Sequence, residues 1–249
     1  MIPAGFEAHL KNVHASLGQI EGWLSDREVD FLALLAACPT AHGEIVELGT
    51  YHGKSTIALA SSVALSDQAT VVTVDCQPGL PTIENLKRAG VAERVKVHCC
   101  YSTEFTASWD GPIRLLWHDG ANSRDVVHDD LEKLLPFLSD CGMVAFHDVL
   151  NPSGERIAVF VDHILASKHF GFSGVCGSIG WAQYHKEPRG ASPHRVRNEQ
   201  LRRRLKPLIA YQVADQPPPR GFAKVRYKLL RARVPHGRVH PEDWVREAA

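Results

Sequence analysis

The feature that most constrains the fold is a regular alternation of strand-like and helix-like segments through the middle of the chain. Such alternation predicts an α/β domain in which a mostly parallel sheet carries helices on both faces. The predicted strands are Glu44–Leu48, Ala69–Val74, Val95–Cys99, Ile113–Trp117 and Met143–Phe146, followed by a hairpin of Phe172–Cys176 and Trp181–Tyr184. Because ligands of such sheets bind beyond the carboxyl ends of the strands, the residues that follow each strand are the candidate site residues.

Helices are predicted between these strands and before them. Ser25-Asp-Arg-Glu28 has the spacing of a capping box and opens a helix that continues to about Ala37. The other predicted helices are Lys54–Leu65, Pro81–Arg88, Ser123–Phe137 and Glu155–Ser167. We expect three parts: N-terminal helices (1–40) that cap an acceptor site, a core (41–186) and a C-terminal extension (187–249).

The net charge of zero conceals an asymmetry along the chain. From Lys186 onward there are 16 Lys and Arg against 6 Asp and Glu, so this third is strongly basic and the preceding body is acidic. Three interpretations remain open: a solvated or partly disordered tail that pairs with the body, a surface for an anionic partner such as nucleic acid, or a membrane-surface patch. Gln216–Pro219 is typical of a linker, and Phe222–Leu230 is expected to pack on the body or on a second copy in a homo-oligomer.

Composition and cysteine usage indicate a cytoplasmic protein. The N-terminal residues lack the basic and apolar regions of a signal peptide, and no apolar run approaches the length of a membrane span. The six cysteines are scattered without CxxC zinc spacing: Cys38, Cys76, Cys99, Cys100, Cys141 and Cys176. Cysteines of this kind are usually small core residues in a reducing compartment.

The loop after the first strand reads Glu47-Leu-Gly-Thr-Tyr-His-Gly-Lys-Ser55. Gly49 and Gly53 allow a tight strand-to-helix turn in which the backbone approaches a ligand. A phosphate-binding P-loop is excluded because the spacing is one residue short, and Tyr51 stands at the middle glycine of a dinucleotide fingerprint. A generic α/β turn remains the alternative.

This loop resembles the E/DxGxxxGxS first motif of class I methyltransferases. The resemblance implies a Rossmann-like fold with a seven-stranded sheet and S-adenosylmethionine as cofactor. It also implies that Glu47 meets the cofactor's amino group directly or through water, and that Gly49, Tyr51, Gly53 and Ser55 pass beneath its methionine part. Asp75, at the end of the second strand, can accept the ribose hydroxyls, and Ser102 follows the third strand beside the expected adenine position.

Acidic residues also follow the fourth and fifth strands. Asp119 and Asp148 are expected to point into one crevice, where two carboxylates repel each other unless a cation or protons relieve them. Oxygen ligands suit Mg²⁺, whereas participation of the adjacent His147 would make Mn²⁺ more suitable. The alternative is a pair of helix-capping aspartates.

The runs Leu115–Gly120 and Cys141–Leu150 look like those of a methyltransferase subgroup that contains cephalosporin-hydroxylase-like proteins and macrolide-sugar O-methyltransferases. That resemblance implies that Asp119, His147 and Asp148 hold a divalent metal. The sequence departs from the subgroup at two positions: His147 stands where Glu is often found, and Asn122 stands where a His or Lys base is usual. His147, His118 or another histidine then has to remove the proton.

The expectation is therefore a metal-assisted O-methyltransferase acting on a sugar hydroxyl, such as a mannoside precursor of a methylated polysaccharide. A catechol-like or other small acceptor remains an alternative, since vicinal oxygens chelate a metal equally well. An RNA methyltransferase that uses the basic segment is a further rival, although no RNA-binding module is recognisable. A non-catalytic protein that retains the cofactor fold is the last.

Overall fold

The computed structural model describes residues 1–79, 81–152, 154–188, 193–212 and 217–248. Its centre is a seven-stranded sheet in the order β3-β2-β1-β4-β5-β7-β6. The strands are β1 Glu44–Leu48, β2 Val71–Val74, β3 Val95–His98, β4 Ile113–His118, β5 Leu138–Phe146, β6 Phe170–Cys176 and β7 Ile179–Tyr184. β1 to β5 are parallel, and β7 runs antiparallel to both β5 and β6. The α/β prediction with a closing antiparallel hairpin is confirmed.

Ten α-helices surround this sheet in the described part of the chain. They are α1 Phe6–Leu17, α2 Asp26–Ala37, α3 Lys54–Ser62, α4 Pro81–Arg88, α5 Ser102–Ser108, α6 Arg124–Leu134, α7 Arg156–Val159, α8 Pro193–Leu205, α9 Gly221–Ala232 and α10 Pro241–Ala248. The predicted capping box of α2 is present, with Ser25 and Glu28 as its partners. The short helix α5 was not predicted, because Ser102–Ser108 is only two turns long and buries only Phe105 and Thr106.

The core consists of two apolar layers, one on each face of the sheet. Residues of α1, α2, α3 and α10 cover one face, and residues of α5 to α9 cover the other. The central strands are buried on both sides, as parallel strands between helical layers must be. This packing leaves the strand ends and the loops between elements as the accessible places for ligands.

The described helices of the basic C-terminal segment pack on the body, so these helices are not a solvated tail. Trp244 of α10 is buried against Phe31, Phe172 and Trp181, and its indole N–H donates to the carbonyl of Cys38 at 3.1 Å. The buried indole of Trp244 anchors α10 on the body, although the basic composition of the segment does not predict such burial.

The second face receives part of the same segment. Leu201 and Leu205 of α8 and Tyr227 of α9 are buried there, and the Tyr227 hydroxyl donates to the carbonyl of Leu150 at 2.5 Å. Phe222–Leu230 thus lies within α9, which contacts the body through Tyr227. Packing on the body was one of the two predicted locations of this segment. Gln216 of the predicted linker lies outside the described residues, and no described helix is long and apolar enough to cross a bilayer.

Candidate active site

The loop after β1 is held in an unusual backbone conformation. Gly49 and Gly53 have φ values of 99° and 82°, and Tyr51 between them has a φ of 48°. A Cβ on Gly49 would lie 2.6 Å from the backbone carbon of Asp119, so only glycine allows this loop to approach the end of β4. The loop and the carboxyl end of β4 are therefore in direct contact.

Asp75 fixes that loop from the neighbouring strand. One of its carboxylate oxygens accepts the backbone N–H groups of Thr50 and Tyr51 at 3.0 and 2.9 Å. The other accepts the N–H of Gln77 at 2.8 Å. The structure thus brings Asp75 and the glycine loop together, as their positions at adjacent strand ends predicted. Ser102 begins α5 beyond the end of β3 and is half-buried.

Glu47 lies beneath the loop with no exposed surface. The hydroxyl of Thr56 donates to one of its carboxylate oxygens at 2.5 Å, and the other oxygen has no hydrogen-bond partner within the described residues. Burial raises the pKa of Glu47 to about 7, against the opposing effect of hydrogen bonding by Ser55, Thr56 and Thr73. This buried carboxylate oxygen, which lacks a hydrogen-bond donor within the described residues, is suited to accept a hydrogen bond from a bound molecule.

A second cluster occupies the carboxyl ends of β4 and β5. His147 Nδ1 lies 3.0 Å from Asp119 Oδ1 and 3.7 Å from Asp148 Oδ1. One donor atom from each of these three residues lies within 4.8 Å of the others. Asp148 has a φ of 60°, a left-handed conformation that few non-glycine residues adopt and that is frequent at functional sites.

Glu28 and Arg156, neither of them a predicted site residue, complete this cluster. Glu28 Oε1 lies 3.8 Å from His147 Nε2 and accepts the backbone N–H of Ser178 at 2.6 Å. Burial by itself lowers the pKa of His147, but hydrogen bonding to Asp119 and Glu28 and the nearby carboxylate charges raise it to about 10. Burial opposes ionisation of Glu28, yet hydrogen bonding from His147 and Ser25 brings its pKa down to about 2.

Arg156 approaches the same carboxylates from the other side. Its guanidinium lies 3.5 Å from Asp148 Oδ2 and 3.9 Å from Asp119 Oδ1, and it donates to the backbone carbonyls of Gly120 and Ala121 at 2.7 and 3.1 Å. Arg156 therefore orients the loop after β4 and partly neutralises the acidic cluster. The sequence offered no signal for it beyond a basic residue in the predicted helix after β5.

His118 lies away from this cluster. Its side chain has no exposed surface, and its Nε2 is 3.4 Å from the equally buried carboxylate of Asp130. Burial lowers the pKa of His118. The side chain alternation along β4 sends His118 to the face covered by α6, whereas Asp119, one residue later, lies in the loop at the strand end. Asn122 is exposed in the loop before α6.

A cavity of about 750 Å³ lies beside His147. Its lining includes Trp23 from the segment before α2, Glu28 from α2, His147 and Asp148 from the loop after β5, and Arg231 from the C-terminal segment. The Trp23 side chain is 77% exposed and its ring lies 4.9 Å from that of Tyr51. Trp23 thus lines the cavity beside the cluster and also contacts Tyr51 of the glycine loop.

Comparison with known proteins places this geometry in a known fold. Residues 46–149 match a family model described as a methyltransferase domain. A comparison with curated protein sequences gives no match.

Solved structures with the same fold include cofactor-bound Rv0187 from MTB, with 21% identity over 74% of this chain and 90% of that one and a TM-score of 0.54. An O-methyltransferase from Bacillus cereus in complex with SAH has 22% identity over 72% and 90% of the two chains, with a TM-score of 0.52. TomG from Streptomyces achromogenes, an O-methyltransferase involved in Tomaymycin synthesis and solved with SAM, has 20% identity over 73% and 90%, with a TM-score of 0.52. Residues 46–149 are thus similar to a methyltransferase domain, and the chain has the Rossmann-like fold of these solved structures.

Proposed function

We propose that the protein is an S-adenosylmethionine-dependent O-methyltransferase that acts on a sugar hydroxyl with the help of a divalent metal, Mg²⁺ or Mn²⁺. The observation that carries this proposal is the convergence of Asp119, His147 and Asp148 at the carboxyl ends of β4 and β5. The cluster lies beside the loop whose sequence resembles the first methyltransferase motif. Structural neighbours solved with SAH or SAM support the same cofactor.

The residues around the glycine loop fit this cofactor. Glu47 offers the buried carboxylate oxygen that lacks a partner, and Gly49 keeps the loop free of side-chain bulk. Asp75 holds the loop in place and offers carboxylate lone pairs to ribose hydroxyls, since each oxygen can accept more than one hydrogen bond. The loop would complete its cofactor contacts with Tyr51, Gly53 and Ser55. Ser102 would contact the cofactor beyond the end of β3.

The acidic cluster also fits a divalent ion. Ligand atoms of a small divalent ion lie about 3 Å apart, and His147 Nδ1 is 3.0 Å from Asp119 Oδ1 and 3.7 Å from Asp148 Oδ1. Arg156 is nearest to Asp148 Oδ2, and Asp148 Oδ1 accepts the side-chain amide of Asn151 at 3.1 Å, which leaves a second lone pair of Oδ1 for an ion. When bound, such an ion would lower the pKa of an acceptor hydroxyl and orient it.

Among the predicted bases, His147 is the one that lines the cavity. Because the surrounding carboxylates, against the effect of burial, raise its pKa to about 10, it would act as base or ligand only once a bound cation had displaced its proton. His118 has no access to the cavity, and Asn122 has no basic group. An imidazole that binds a metal through Nδ1 keeps its proton on Nε2, so His147 cannot act as ligand and base at once. Binding of Mn²⁺ to a His147→Gln variant separates the two roles: lost binding indicates the ligand, and retained binding with lost turnover indicates the base.

The cavity beside His147 supports a hydroxyl-rich acceptor. Its lining combines charged groups, such as Arg231 and Glu28, with the exposed indole of Trp23. Convergent polar groups recognise hydroxyls, and an amphipathic aromatic face can pack against the C–H face of a sugar ring. In this proposal residues 1–40 cap the acceptor site over the core 41–186, and the extension 187–249 contributes the wall at Arg231. A small phenolic natural product is the alternative acceptor.

The test is formation of S-adenosylhomocysteine from a panel of glycosides and catechols, with and without EDTA. We expect turnover with glycosides that chelator abolishes. Asp119→Asn should abolish turnover but retain measurable cofactor binding, whereas the exposed control Asp110→Asn should behave as wild type. Full turnover in EDTA would contradict the role of a metal. Turnover with catechols alone would contradict a sugar as the acceptor.

A further inference from the structure

A second group of metal-ligating side chains lies at the other end of β5. Asp140 and Cys141 belong to the first half of β5, and His185 directly follows β7. Because β7 runs antiparallel to β5, its last residues lie beside the first residues of β5. The three side chains therefore meet at the edge of the sheet opposite to the proposed active site.

The backbone of β5 is displaced at this point. Ile113 of β4 pairs with Leu138, but Leu115 pairs with Met143, so the residues between Leu138 and Met143 bulge out of the parallel ladder. Cys141 in this bulge has a φ of 65°. A left-handed conformation is unfavourable at a non-glycine residue and persists where surrounding contacts impose it.

Hydrogen bonds from two other elements maintain the bulge. The carbonyl of Cys141 accepts the hydroxyl of Thr40 at 2.6 Å and the side-chain amide of Gln183 at 3.4 Å. These contacts fix the backbone of Cys141 and thereby the direction of its thiol.

Neighbouring residues also fix the position of His185. It is 4% exposed, and its backbone N–H donates to the carbonyl of His169 at 2.7 Å. A Cβ on Gly171 would lie 2.7 Å from His185 Nε2, so the glycine makes room for that edge of the ring. The opposite edge, with Nδ1, faces Cys141 and Asp140.

One ligand atom from each of the three residues lies within 4.8 Å of the others. His185 Nδ1 lies 3.8 Å from Cys141 Sγ and 3.8 Å from Asp140 Oδ1, and Cys141 Sγ lies 3.9 Å from Asp140 Oδ2. Bonds of about 2.0 to 2.3 Å around a tetrahedral zinc ion place its ligand atoms about 3.3 to 3.8 Å apart, which is close to these separations.

We propose that Asp140, Cys141 and His185 bind Zn²⁺. Thiolate and imidazole ligands favour zinc over Mg²⁺, and the thiolate and carboxylate together neutralise the charge of a divalent ion. Three protein ligands leave a fourth tetrahedral position, and the Asp140 side chain is 57% exposed, so water has access to it. This site is independent of the proposed methyl transfer. Cys141 and His185 are 44 residues apart in the sequence, so no short zinc-binding motif predicts this site.

The test is titration of the chelator-treated, dialysed full chain with Co²⁺, which reports thiolate ligation by a near-ultraviolet charge-transfer band. We expect the band to saturate near one equivalent and to disappear when Zn²⁺ is added. Cys141→Ser should abolish the band and weaken binding by at least about tenfold, because a serine hydroxyl does not ionise at neutral pH. The matched control Cys99→Ser changes an exposed cysteine elsewhere and should retain the band.

Two further variants make the result decisive. Asp140→Asn changes a largely exposed side chain and should weaken Co²⁺ binding without changing the melting temperature. This variant tests the site even if Cys141→Ser fails to fold. Asp119→Asn should leave the thiolate band intact, because it lies at the other edge of the sheet. Absence of the band in wild type, or its persistence in Cys141→Ser, would overturn the proposal.

Discussion

The buried carboxylate of Glu47 predicts that cofactor affinity changes with pH. Glu47 has no exposed surface, and burial raises its pKa to about 7. It is therefore partly protonated near neutral pH in the free protein. An ammonium group of a bound cofactor, close by or one water away, favours the ionised form, so binding should release a proton.

The sign and size follow from this pKa. The ionised fraction of Glu47 rises from about one tenth at pH 6 to about nine tenths at pH 8, with the pKa at about 7. If only the ionised form binds, affinity rises about tenfold over this interval, which corresponds to about 1.4 kcal/mol. About 0.9 protons should be released per molecule bound at pH 6 and about 0.1 at pH 8.

Isothermal titration calorimetry with S-adenosylhomocysteine tests this prediction. Runs at pH 6 and pH 8 in buffers with different ionisation enthalpies give both affinity and proton release. Glu47→Gln should remove the pH dependence, because an amide does not titrate. The control Glu44→Gln, at the start of the same strand, should keep it. A wild-type affinity that is equal at both pH values, or a dependence that survives in Glu47→Gln, would refute the reasoning.

Three further predictions concern stability and metal binding. Trp244→Ala should lower the free energy of unfolding by about 3 to 5 kcal/mol, measured by guanidinium unfolding followed by circular dichroism, while the exposed Trp23→Ala should change it by less than about 0.5 kcal/mol; equal effects would contradict the packing of α10. Glu28→Gln should weaken Mn²⁺ binding about tenfold in an electron paramagnetic resonance titration, because it loses the charge that orients His147, whereas the exposed Asp26→Asn should leave binding unchanged. Gly49→Ala should abolish S-adenosylhomocysteine binding, since its methyl group would collide with the backbone of Asp119; wild-type affinity in that variant would be inconsistent with the loop geometry.

Local patterns predicted the elements that depend on neighbouring residues. The capping box at Ser25 and Glu28 and the strand–helix alternation both act over a few residues, and the structure confirms them. Residues at the ends of adjacent parallel strands were expected to converge, and Asp119, His147 and Asp148 do so. That expectation needs only strand order and direction.

Contacts between distant segments could not be predicted in the same way. The sequence indicated Glu28 only as a helix-capping residue, because nothing local shows that α2 carries it to within 3.8 Å of His147. His118 was an eligible base until the sheet placed its side chain under α6 beside Asp130. The basic composition of the C-terminal segment likewise concealed the burial of Trp244.

The sequence by itself determined the α/β class, the glycine loop at Glu47–Ser55 and the acidic strand ends, because each depends on periodicity or on spacing within one or two elements. Tertiary structure decided which histidine reaches the cavity, that the C-terminal helices join both core layers, and that Asp140 and Cys141 meet His185. These outcomes depend on packing between segments far apart in the chain, where sheet register and side-chain direction, rather than residue type, set which groups come into contact.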